Sequence, residues 1–158
     1  MAFQLSDLQH LIHQLGPSIP EISAIFQEES DSWQISFDEG PSIQLSWQEK
    51  PVSVLLCCAV GKPDSGNREK VFTRLLNMNL LLQGAANINL KLALSSPEDD
   101  VILIGELECY AMSVEALQTG IIEYLRFAAY FSELIINPEI ENEKVDFPAR
   151  MSTELMKV

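Results

Sequence analysis

The chain has 158 residues, 47% of them hydrophobic and 21% charged, with only 7 Gly and 8 Pro. That length suits one domain able to bury roughly 70% of its unfolded surface without metal or disulfide help, and the composition excludes a disordered or low-complexity protein. Twenty-three acids against 10 bases give a net charge of −13, which repels phosphate, disfavours nucleic-acid binding and anionic membranes, and draws in basic or amphipathic partners.

The opening stretch MAFQLSDLQHLIHQLG has no basic leader and no long apolar run, so it does not read as a signal peptide. A first helix is expected over residues 7–15. Ser6 and Gln9 have capping-box spacing, and Leu5, Leu8, Leu11, Ile12 and Leu15 share one face. Gly16-Pro17 should stop it. Residues 21–26 read equally as a short helical turn or a loop.

Three strands follow. Residues 32–37 alternate, with Trp33, Ile35 and Phe37 on one face. Asp38-Glu39-Gly40-Pro41 is a turn. Residues 42–48 alternate again, with Ile43, Leu45 and Trp47 inward. Residues 52–60 are apolar on both faces and belong in the middle of a sheet. Their longest apolar run, 54–60, is too short to cross a bilayer.

After a loop at 61–66, a second helix is expected over 68–82, with Gly84 as its stop. Its apolar positions are too many for the single stripe of a surface helix. A half-exposed strand at 88–94, a loop at 95–100 and a central strand at 101–107 come next. A third helix spans 114–135, with Ser113 as N-cap and Asn137-Pro138 as its end. Residues 137–158 read as a charged, mobile tail. The expected fold is α+β, in the order α-β-β-β-α-β-β-α. A twisted five-stranded antiparallel sheet of order 1-2-3-5-4 packs with three helices.

Residues that could carry chemistry are few. His10 and His13 lie at i,i+3 on the first helix, but no further ligand accompanies them. Surface histidines are the plainer reading. The cysteines are Cys57, Cys58 and Cys109, an odd set with no CxxC, which reads as reduced thiols in a cytosolic protein. Alternation sends Cys57 and Cys58 to opposite faces of an apolar strand, so they cannot act as a dithiol. Pro97-Glu98-Asp99-Asp100 lacks the ligand order of a calcium loop, and Gly61 and Gly66 lack the phosphate-loop pattern. No metal site, cofactor or catalytic residue is expected.

The informative feature is surplus apolar surface. Leu55, Cys57 and Ala59 in the third strand and Ile102 and Ile104 in the fifth face away from the first set of core residues. With the broad second helix they leave a patch that is either covered within the chain or kept for a partner.

Leu75-Leu76-Asn77-Met78-Asn79, the Gly84-Ala85 step, the 88–107 hairpin, and a last helix bearing Ala128, Ala129, Phe131 and Leu134 form a pattern over residues 5–136. In this it resembles the class I type III secretion chaperones, the Tir-chaperone-like family. The pattern is one of apolar spacing and carries no catalytic signature. Small size and strong acidity also suit that family. The resemblance implies a chaperone-like domain over 1–136, with the 137–158 tail as an addition. It implies a cytoplasmic bacterial protein linked to virulence, without enzymatic activity, nucleotide, cofactor or membrane insertion. It implies a homodimer joined mainly through Val71, Phe72, Leu75, Leu76, Asn79 and Leu80. The expected partners are one or more secreted effectors, held as extended N-terminal segments, with the secretion apparatus as a further candidate. Client contact falls on the first helix and the outer face of the first three expected strands, with Leu8, Leu11, Ile12, Trp33, Ile35 and Trp47 as contributors. Ordinary core packing is the competing reading for each of these six. The alternatives are a chaperone-like fold acting as a regulatory or stress-related protein-binding module, and a small enzyme or carrier. The last would need a pocket lined by Cys57 or Cys109 with His10 nearby.

Overall fold

The computed structural model describes residues 2–83 and 87–139. The elements run α1 (Leu5–Ser18), β1 (Ile22–Glu29), β2 (Ser32–Phe37), β3 (Ile43–Glu49), β4 (Val52–Gly61), α2 (Arg68–Leu82), β5 (Asn89–Leu94), β6 (Val101–Glu108) and α3 (Val114–Ile136). The expected stop at Gly84, the Gly84-Ala85 step and positions 140–158 of the expected tail lie outside the described residues.

All strands join one antiparallel sheet of order β1-β2-β3-β4-β6-β5. The five expected strands keep their expected order, with the doubly apolar β4 and β6 at the centre. The correction is a sixth strand: residues 22–29 form β1, where the sequence left a helical turn or loop open. Ile22 and Ile25 are three apart, a spacing that reads as helical. In the sheet Ile22 lies opposite Phe37 and Ile25 opposite Ile35, with the register shifting between Ile22 and Ala24. That bulge inserts one residue and brings both isoleucines to the same face.

The first helix is also longer than expected. Its N-terminus is capped by Asp7, whose carboxylate accepts the Gln4 backbone N–H at 2.8 Å, rather than by the Ser6/Gln9 pair. Gly16-Pro17 does not stop it. The last turn closes on the Leu15 carbonyl, which accepts from the Ile19 N–H at 3.1 Å and the Ser18 hydroxyl at 2.7 Å. The other two helices follow expectation closely. Ser113 caps α3 by accepting the Ala116 N–H at 3.2 Å.

One sheet face carries the core. Ile35, Leu45, Leu56 and Leu103 are fully buried there. α3 packs on β4 and β6, and α1 packs on α3 and β1. Tyr124 of α3 lies fully buried on this face and donates its hydroxyl to the Leu103 carbonyl at 2.6 Å. Gly105 makes room for it: a Cβ at that position would come within 2.8 Å of the Tyr124 ring. The opposite face is polar toward β1, where Gln44 donates to Glu28 at 3.3 Å. It is apolar toward β4 and β6, where Leu55, Cys57, Ile102 and Ile104 are half-buried and Ala59 is exposed. α2 covers neither face centrally; it packs beside β5 at one end of the sheet. Among the described residues no helix is long and apolar enough to cross a membrane.

Candidate functional site

The breadth of apolar positions in α2 resolves into two opposed faces. Val71, Leu75, Met78 and Leu82 turn inward and are buried. Phe72, Leu76 and Leu80 recur every fourth residue on the outside, with Leu76 70% and Leu80 72% exposed and Phe72 half-buried. A groove of about 320 Å³ runs between α2 and β5, lined by Phe72, Leu76, Leu92, Ala93 and Leu94 among others. The Arg68 guanidinium covers the outer end of Phe72, 5.4 Å from its ring centre, and pairs with Asp99.

Asn79 links α2 to the sheet. Its Nδ2 donates to the Leu92 carbonyl at 3.0 Å, and its Oδ1 accepts the Leu92 N–H at 2.7 Å. One side-chain amide thus supplies both groups that a neighbouring strand would offer, and it does so at the terminal strand of the sheet. Of the six residues expected at a dimer interface, Val71 and Leu75 lie inside their own chain, Asn79 is occupied at the β5 edge, and Phe72, Leu76 and Leu80 form the outward row.

The other end of the sheet differs. Among the described residues β1 pairs only with β2. Phe26 on β1 is 60% exposed. A groove of about 360 Å³ lies between α1 and β1, lined by Ile12, His13, Gly16, Ile22 and Ile25 among others. A second depression, about 590 Å³, includes Phe3, Leu5, Trp47 and Val52 beside Asp31 and Glu49. The Phe3 and Trp47 rings meet there at 6.0 Å. Of the six residues expected to contact a client, Leu8, Ile12, Trp33 and Ile35 are core, at most 4% exposed. Leu11 and Trp47 are half-buried and keep surface. Sequence reasoning missed Phe26 and the whole β1 edge. The signal was present in Ile22, Ile25 and Phe26, but the bulge disguised its period.

A third groove, about 880 Å³, lies between the end of β6 and α3, with Glu106, Glu108, Glu115 and Glu123 on its walls and Tyr110 88% exposed. Hydrogen bonds from its own backbone N–H and from the Ser113 side chain hold the Glu115 carboxyl below its usual value. The thiols are poor nucleophiles. Burial pushes Cys57 and Cys58 upward and Cys109 to about 11. His10 is exposed, with Nδ1 3.2 Å from the Ser6 carbonyl, which can only accept. No group of three or more metal-ligating side chains occurs among the described residues.

No protein-family model and no curated protein matches this chain. Solved structures do. A chain of the ExsC–ExsE complex matches with a TM-score of 0.69 at 15% identity, over 85% of this chain and 97% of that one. A chain of the HopA1–SchA chaperone–effector complex matches at 0.64 and 16% identity, over 84% and 99%. A chain of the heterodimeric ExoU–SpcU complex from the type III secretion system of Pseudomonas aeruginosa matches at 0.53 and 20% identity, over 72% and 88%. The fold is therefore a class I type III secretion chaperone-like fold.

Proposed function

We propose that this chain is a cytoplasmic chaperone of a bacterial type III secretion system. It binds the N-terminal segment of secreted effectors, keeps that segment non-globular and soluble, and performs no catalytic step. The observation that carries this reading is the shared fold, spanning 84% of this chain, with a complex described as chaperone and effector. Two features of the molecule support it. Among the described residues β1 pairs on one side only, leaving an edge to which an extended segment can add its backbone, and the α1–β1 groove beside it can take alternate side chains. Leu11, Phe26 and Trp47 are the contact residues we assign on that side. Holding a segment unfolded costs ordering free energy, which a long wrapped interface offsets.

The chain works as a homodimer in this reading. The partner copy covers Phe72, Leu76 and Leu80, while Val71 and Leu75 act by holding α2 in place. The test is capture of the tagged, full-length chain from cells that carry it, with mass spectrometry of what co-purifies. We expect one or a few larger proteins, held through a segment near their N-termini, at two copies of this chain per client. Recovery of the chain alone, while clients are demonstrably expressed, overturns the proposal.

A further inference from the structure

The two sides of the β1 edge differ in chemistry. On the side that carries the core, Ile22 and Ile25 line the groove against Ile12 and Gly16 of α1. On the other side stand Phe26 and Glu28. Phe26 lies opposite Gln34, Gln34 lies opposite Gln44, and Gln44 donates to Glu28. The register thus puts the ring and the carboxylate on one face, two residues apart and both exposed. The charge around them has a single sign. Residues 1–49, from which α1 and β1–β3 are drawn, hold eight acids and no Lys or Arg, and all 10 bases of the chain come later. A strand added beside β1 sets one residue directly opposite Phe26, about 5 Å away between Cβ atoms, with Glu28 on the diagonal and within reach of a long side chain. An Arg or Lys at that point lays its stem on the ring and extends its charge to the carboxylate. The molecule already holds such an arrangement once, where Arg68 covers Phe72 and pairs with Asp99. The neighbours of that residue along the added strand point the other way, into the α1–β1 groove.

We infer that the segment received at β1 alternates apolar and basic side chains, with an Arg or Lys opposite Phe26 and beside Glu28. This rests on reading β1 as the client edge, and it adds the chemistry of the client strand. The test uses the full-length chain and end-blocked, fluorescently labelled peptides of eight residues, the length of β1. One peptide alternates Val and Arg. A second has Gln in place of every Arg, and a third places all its Val before all its Arg. Affinity is read by fluorescence anisotropy. We expect the alternating Val/Arg peptide to bind roughly tenfold tighter than either of the others. Glu28→Gln or Phe26→Ala, both at exposed positions, should remove most of that advantage. N-methylation of every second amide should abolish binding in one parity and spare it in the other, since only one set of amides faces β1. Equal affinity for the Arg and Gln peptides overturns the inference, and so does an Arg preference that survives both substitutions. Equal binding of the block peptide overturns it too, because attraction to net charge alone then suffices. A chain that binds no peptide yet holds clients captured from cells overturns the inference and leaves the proposed function standing. One that does neither overturns both.

Discussion

Gly105 and Asn79 show how single residues decide what the sheet can do. Gly105 has no side chain because Tyr124 and Ile88 occupy its space, at 2.8 and 2.7 Å from where a Cβ would sit. Gly105→Ala must displace a buried ring that is hydrogen-bonded to the Leu103 carbonyl. We expect a loss of about 1–3 kcal/mol, read as a lower urea midpoint with unchanged slope. Asn79→Ala removes two hydrogen bonds to Leu92. At about 0.5–1.5 kcal/mol each, it should cost about 1–3 kcal/mol and leave the β5 edge open at that point. Cys109 makes a prediction about pH. Its thiol is raised from 9.0 to about 11 by burial, so the native state holds a proton that the unfolded chain releases between those values. Stability from this group is complete below pH 9 and falls as pH rises toward 11. Cys109→Ala should flatten that part of a stability–pH profile measured by denaturant titration. The opposed placement of Cys57 and Cys58 was legible because alternation alone sends neighbouring strand residues to opposite faces. Asn79 was legible only as part of a family pattern, since nothing in its spacing says that its amide reaches a strand residue 13 positions later.

At the level of elements, the strands that alternate or are wholly apolar were readable and paired in the expected order. The elements that broke their own period were not. β1 was missed because its bulge converts a period of two into an apparent three. α1 was cut short because Gly16-Pro17 reads as a stop, whereas the chain stays helical through Ser18, with the Leu15 carbonyl accepting from the Ile19 N–H and the Ser18 hydroxyl. The two faces of α2 were visible as excess apolarity, yet which residue faced which way depended on where β5 lay. That geometry now gives a sharp expectation. Leu76 and Leu80 are mostly exposed in one chain, so Leu76→Asp with Leu80→Asp should shift the stability of a monomer by less than about 0.5 kcal/mol each. Two leucines buried against a second copy contribute about 1.5–3 kcal/mol each. If the chain is the homodimer proposed above, the double substitution should therefore halve the mass measured by light scattering while leaving the circular dichroism spectrum unchanged. In the same way, the four expected client residues that lie in the core, Leu8, Ile12, Trp33 and Ile35, were indistinguishable from surface contacts in the sequence. Periodicity marks an apolar face but not whether the chain's own helices cover it.

Across the whole molecule, charge and edges set the terms of association. A net charge of −13 steers basic segments toward the chain and repels acidic ones. Added salt should slow association with a Lys/Arg-rich client segment and scarcely change a neutral one, as read by stopped-flow at increasing ionic strength. The amide of Asn79 has a wider consequence. A sheet with two available ends is a bifunctional unit, and bifunctional units grow into chains without limit. Asn79 meets the β5 end at Leu92, so backbone pairing from outside is blocked at that one residue. In the proposed role, that block favours addition of an extended segment at β1 over growth from both ends of the sheet, the route by which edge pairing propagates into a fibre.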